Sequence, residues 1–102
     1  MSNLPFEDAN ASLYSVGQVA DMLGVQPAFV RRLDSERVVE PSRSEGGQRR
    51  YSRAEIERVQ RVAGMADQGM SLAAIRRILV LEAQVEKLKR QVSSLRRSRR
   101  PS

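Results

Sequence analysis

Six apolar residues, Ile78, Leu81, Val85, Leu88, Val92 and Leu95, step along the chain by 3, 4, 3, 4 and 3. That alternation is the signature of a coiled-coil seam. Neither Gly nor Pro occurs between Leu72 and Ser98, so nothing there breaks a helix. The spacing predicts one continuous helix over Leu72–Arg97, about 39 Å long at 1.5 Å per residue. A lone amphipathic helix docked on its own domain would use the same residues. The domain it could dock on, however, ends near Leu79, and a stripe that projects beyond it must be covered by another chain. The chain has 102 residues, four aromatics and no Trp, and a domain of this size buries only about 60–65% of its unfolded surface. A second copy would supply the missing core. Ile78, Leu81, Val85, Leu88, Val92 and Leu95 are therefore expected to form a homodimer.

Upstream of this helix the sequence is punctuated. Residues 1–12 show no periodicity and read as a flexible arm. Ser15-Val-Gly-Gln18 fits a capping box, and Val16, Val19, Ala20 and Leu23 recur at helical spacing up to Gly24. A short helix over Val16–Leu23 follows. Pro27 suits a first helical position, and a second helix runs to about Ser35 with Val30 and Leu33 buried. Two short helices joined by a tight, Gly-containing link form a helix-turn-helix. Two β-prone pieces then flank Gly46-Gly47, which predicts a hairpin. Ser52-Arg-Ala-Glu55 is a second capping box and opens a third helix, with Ala54, Ile56, Val59, Val62, Ala63 and Ala66 as its apolar stripe. Gly69 ends it and Ser71 caps the fourth. The expected fold is mainly α: a winged helix-turn-helix domain over 13–70, then a long C-terminal coiled-coil dimerisation helix over 71–97. A basic disordered tail occupies 98–102.

Composition removes several functions. Cys and His are both absent, which excludes disulfides, thiol nucleophiles, imidazole bases and Zn sites built from those ligands. No metal, cofactor or enzymatic activity is expected. No apolar run approaches the length of a membrane span, and the N-terminus lacks the pattern of a signal peptide, so a cytoplasmic location is expected. The net charge is +6, and 16 of the 18 basic residues are Arg. The planar guanidinium fork matches phosphate and the guanine edge. Double-stranded DNA is the expected partner.

The candidate DNA contacts follow from placement. On the second helix Phe29, Val30 and Leu33 share one side, leaving Ala28, Arg31, Arg32 and Ser35 on the other at i, i+3, i+4, i+7 spacing. Arg31 and Arg32 can then reach phosphates or base edges; the plainer alternative is a solvated face with Arg31 paired to Asp34. Gln26 and Ser15 stand at the starts of the two helices. In Ser44-Glu-Gly-Gly-Gln-Arg-Arg-Tyr51 the glycines allow the backbone, Gly47 included, to approach a phosphate. Arg43, Gln48, Arg49 and Arg50 add donors, and the Tyr51 hydroxyl can donate to a phosphate oxygen. Directly behind a helix-turn-helix, this hairpin reads as a DNA-binding wing.

At these residues the chain resembles the MerR family of winged-helix regulators. The likeness runs from Tyr14-Ser-Val-Gly-Gln-Val-Ala-Asp-Met-Leu-Gly-Val25 through Gly46-Gly-Gln-Arg-Arg-Tyr-Ser52 to Gly69-Met-Ser-Leu-Ala-Ala-Ile-Arg-Arg-Ile-Leu79. The helical stretch Leu-Glu-Ala-Gln-Val-Glu-Lys-Leu88 is most similar to the heat-shock repressors of the HspR type. The resemblance implies a dimeric, sequence-specific transcription regulator with antiparallel dimer helices, gripping operator DNA with recognition helices and wings. Two departures stand out. Phe29-Val-Arg-Arg-Leu33 replaces the usual Thr-Leu-Arg-Tyr-Tyr, and Arg37 stands where the family usually has Gly. The cysteines by which many relatives sense metals are absent.

The resulting expectation is a homodimeric repressor rather than an activator, regulated through protein partners or assembly. Two alternatives share the same features. An architectural or recombination accessory protein would use the wing to bend DNA, and a coiled-coil adaptor would use the basic surface to bind an acidic protein.

Overall fold

The computed structural model describes residues 9–99 and contains α1 (Val16–Leu23), α2 (Pro27–Ser35), β1 (Ser42–Arg43), β2 (Arg49–Arg50), α3 (Arg53–Asp67) and α4 (Leu72–Ser98). The fold is mainly helical, with one small antiparallel hairpin in which Ser42 pairs with Arg50 and Arg43 with Arg49. The expected fold class holds, and every helix falls within a residue of its predicted bounds. Residues 1–8 of the anticipated arm and residues 100–102 of the anticipated tail lie outside the described residues. Ala9, inside the anticipated arm, accepts a hydrogen bond on its carbonyl from the Ala54 amide at 3.0 Å, so this end of the arm is tied to the start of α3.

Local chemistry sets the helix starts. Ser15 and Ser52 each close a capping box, with Gln18 and Glu55 reaching back to the cap amide, and the Ser71 hydroxyl caps α4 by accepting from the Ala74 amide. Each such cap is worth about 1 kcal/mol. Gly24 ends α1 in the left-handed region at φ 66°, where glycine has no Cβ penalty. The end of α2 is less ordinary. Arg37 takes the left-handed conformation at φ 58°, while the Val38 amide donates back to the Leu33 carbonyl at 2.8 Å. This is the position where resembling proteins usually carry Gly, and Arg37 here takes a conformation that glycine adopts at no steric cost. The Arg37 carbonyl also accepts from Arg76 Nε at 3.3 Å, which joins the end of α2 to α4.

One core holds these pieces. Val19 and Ala20 from α1, Val30 and Leu33 from α2, Ile56, Val59 and Val62 from α3, and Leu72 and Ile75 from α4 are all buried, with Val38, Val39 and Tyr51 from the wing segment. Tyr51 also pairs with Tyr14 as an isolated bridge, its amide donating to the Tyr14 carbonyl at 2.6 Å. The hairpin is thereby sewn to the segment preceding α1. Arg61 on α3 makes a two-pronged ion pair with Glu82 on α4. The Arg61 guanidinium bonded to it holds the Glu82 carboxyl below the usual carboxylate range.

Beyond Leu79, the last α4 residue packed on the core, the helix leaves the domain. Its seam is uncovered: Leu88 is 59% exposed and Leu95 63%, and Leu81, Val85 and Val92 are also exposed. Only Ile78 is half-buried. Among the described residues no helix is long and apolar enough to cross a membrane.

Candidate nucleic-acid interface

The buried side of α2 carries Val30 and Leu33, both with no exposed surface. That anchoring turns Ala28, Arg31, Arg32 and Ser35 outward, and all four are exposed. Arg31 makes no hydrogen bond or ion pair within the described residues, so the alternative pairing with Asp34 does not form. Arg32 Nε donates to Glu36 Oε2 at 2.7 Å across one turn, in an exposed pair. Such a pair contributes at most about 0.5 kcal/mol and is readily exchanged for a phosphate. Gln26 is the cap residue of α2, but its side chain makes no cap hydrogen bond. The Ser35 hydroxyl donates to the Arg32 carbonyl at 3.1 Å. Ser15 is engaged as the cap of α1, where its hydroxyl accepts from the Gln18 amide at 3.2 Å.

The wing is shaped by a tight turn. The Gly47 amide donates to the Ser44 carbonyl at 2.9 Å and the Ser44 amide to the Gln48 carbonyl at 2.7 Å. Gly47 sits at φ 80°, a conformation that side chains disfavour. Arg43 Nη1 closes the loop by donating to the Gly47 carbonyl at 2.7 Å, and Arg50 Nη2 donates to Gln48 Oε1 at 2.9 Å. Arg43, Gly47, Gln48 and Arg49 are all exposed.

Two wing residues depart from a simple row of phosphate donors. Tyr51 has no exposed surface, so its anticipated hydroxyl-to-phosphate contact is corrected: the ring is a core residue. Just past β2 it bridges to Tyr14, and its ring lies in the core with Val38, Val39 and Ile56. Burial pushes the hydroxyl up to about 12, with the Asp34 charge adding to the rise, so it stays protonated. Among the described residues that hydroxyl has no hydrogen-bond partner. Arg49, two residues before Tyr51 but exposed, reaches α2 and donates from Nη2 to Asp34 Oδ1 at 2.7 Å.

Sequence reasoning did not find two of the residues that hold this surface together. Asp34 ties the wing to α2 across 15 positions, a separation that leaves no local signal. Glu55 was legible only as a capping partner. It is buried and also accepts from the Ser42 hydroxyl at 2.7 Å while Oε1 accepts from the Ser52 amide at 2.8 Å. One carboxylate thus fastens β1 to the start of α3.

A helix-turn-helix followed by a two-stranded wing, with arginines exposed on both, is a DNA-binding module of the winged-helix class. Residues 14–81 match the family model described as MerR HTH family regulatory protein. The chain belongs to this family of transcription regulators, which is not a family of enzymes. It is 34% identical over 93 residues to heat shock protein HspR of Streptomyces coelicolor, covering 89% of this chain and 62% of that protein. The chain thus spans about three fifths of that relative's length. Among solved structures it is similar to the transcription regulator PbrR691 from Ralstonia metallidurans CH34 in complex with lead(II). There the TM-score is 0.62 and the identity 24%, over 84% of this chain and 82% of that one. It is also similar to HiNmlR, a MerR family regulator lacking the sensor domain and bound to promoter DNA, with TM-score 0.57 and 23% identity over 83% and 80%. Among the described residues, no group of three or more His, Cys, Asp or Glu could hold a metal ion.

Proposed function

We propose that the chain is a homodimeric, sequence-specific operator-binding repressor. In this reading the module over 13–70 contacts DNA and the helix over 71–97 joins two copies. The observation that carries it is the combination of an outward arginine face on α2 with an arginine-bearing wing on the same core. Arg31 and Arg32 enter the major groove, where a good bidentate contact to a base discriminates by about 1–3 kcal/mol. Gln26, Ala28 and Ser35 flank them, and Arg43, Gly47, Gln48, Arg49 and Arg50 meet the backbone beside the groove, with Ser15 at the N-terminus of α1.

The exposed seam supports the dimer, because a helix face with several half-exposed Leu and Val residues is covered in stable proteins. Two modules on one assembly read two half-sites together. Structural likeness to a family member bound to promoter DNA supports the duplex as partner. The resemblance to HspR-type repressors favours repression, with a protein co-regulator as the source of control and the cytoplasm as the location.

Binding of a labelled operator duplex across a salt series tests this. Arg43→Ala and Arg50→Ala should each lower the salt slope by about 1, because each removes a phosphate contact. An unchanged slope in the double variant would remove the wing from the interface and favour a coiled-coil adaptor acting on an acidic protein.

A further inference from the structure

A buried donor without a partner is uncommon and costs free energy. Among the described residues the Tyr51 hydroxyl is such a donor. Tyr51 follows β2 directly, and the charges of Asp34 and Arg49 both act on its hydroxyl. Arg49 in turn is held by Asp34 Oδ1. Asp34 Oδ2 accepts no hydrogen bond within the described residues. Asp34 is half-buried, and the Arg49 side chain keeps half its surface in solvent. One carboxylate therefore pairs with an exposed donor, while a second donor, buried and unsatisfied, feels its charge.

We propose that these three residues exchange partners when the protein engages DNA. Free, Asp34 holds Arg49 against α2. On the duplex, Arg49 passes to a phosphate, and the Tyr51 hydroxyl takes its place as the donor to Asp34. The exchange removes two penalties at once. Asp34 is not left as a bare carboxylate facing a polyanion, and the buried hydroxyl gains a charge-assisted hydrogen bond. Tyr51 is in this account a positioning residue: it touches no DNA and acts through Asp34 on the release of Arg49. The Tyr51 hydroxyl keeps its proton, and so can donate, at every physiological pH. The inference rests on the DNA-binding reading above and deepens it.

The test is a double-mutant cycle between Tyr51→Phe and Asp34→Ala, read by duplex affinity and by thermal unfolding of the free protein. Tyr51→Phe should leave the free protein as stable or more stable, since it deletes an unsatisfied hydroxyl. It should weaken duplex binding about tenfold, the usual scale for a hydrogen bond to a charged group. A merely structural tyrosine would move stability and affinity together. In the Asp34→Ala background, Tyr51→Phe should leave affinity unchanged. Asp34→Ala alone should raise affinity for random duplex by freeing Arg49. If Tyr51→Phe binds as wild type, or weakens binding equally with and without Asp34, the exchange is overturned while DNA binding stands. If wild type binds no duplex, the DNA-binding reading itself fails and the exchange with it.

Discussion

Shortening Leu88 to Ala tests whether the uncovered seam is an interface. Leu88 is 59% exposed in the single chain, so its side chain has most of its apolar surface still to bury. Complete burial of a Leu side chain is worth roughly 1.5–3 kcal/mol. Covering the exposed part in a dimer therefore contributes about 1–2 kcal/mol per chain, most of which Ala cannot recover. A symmetric dimer loses the contribution twice, so dissociation should cost about 2–3 kcal/mol less, or roughly 30- to 150-fold in Kd. The isolated fold should hardly notice. Leu and Ala have nearly equal helix propensity, and an exposed site changes stability by about 0.5 kcal/mol or less. Sedimentation equilibrium over a concentration series should show Leu88→Ala dissociating well above the wild-type midpoint. Leu88→Glu should be monomeric, and Glu86→Ala, on an exposed neighbouring position, unchanged. A Leu88→Glu protein that stays a tight dimer would refute the reasoning and place the interface elsewhere.

Three other outcomes follow. Replacing Arg31 and Arg32 together by Ala should narrow the affinity gap between operator and random duplex by about 1–3 kcal/mol; a uniform loss in competition assays, with the gap intact, would make them phosphate contacts only. Between pH 10 and 12 the unfolded chain loses the Tyr51 proton while the folded chain keeps it, because burial holds the folded value at about 12. Folding stability should therefore fall by about 2–3 kcal/mol across that window, and chemical denaturation of Tyr51→Phe should show that much less alkaline loss. Arg37→Gly should raise stability by about 0.5–1 kcal/mol, since φ 58° costs an ordinary residue more than glycine. A lowered Tm would mean that the Arg37 side chain contributes more than its backbone strain costs.

Much of the fold was legible because its signals are local. Ser15 with Gln18, Ser52 with Glu55, Gly24, Pro27 and the 3-4 seam each act within one or two helical turns. The outward face of α2 was equally readable, since burial of Val30 and Leu33 dictates where Arg31 and Arg32 point. Contacts between segments distant in sequence were not. Asp34 and Arg49, or Ser42 and Glu55, meet only because the core brings the wing against α2 and α3. Tyr51 shows the same limit from the other side. Beside two arginines at a hairpin it looks like a phosphate donor, and only the strand's direction over the core turns it inward.

The central claim is that two copies of this chain, joined through α4, read a defined DNA sequence with α2 and the wing. Selection of bound duplexes from a fully random pool by the purified protein, followed by sequencing, tests it most directly. The account predicts enrichment of a single inverted repeat, with two half-sites at fixed spacing, and loss of that enrichment in Arg31→Ala/Arg32→Ala. Enrichment of no motif, or of one unpaired half-site bound equally well by Leu88→Glu, would contradict it.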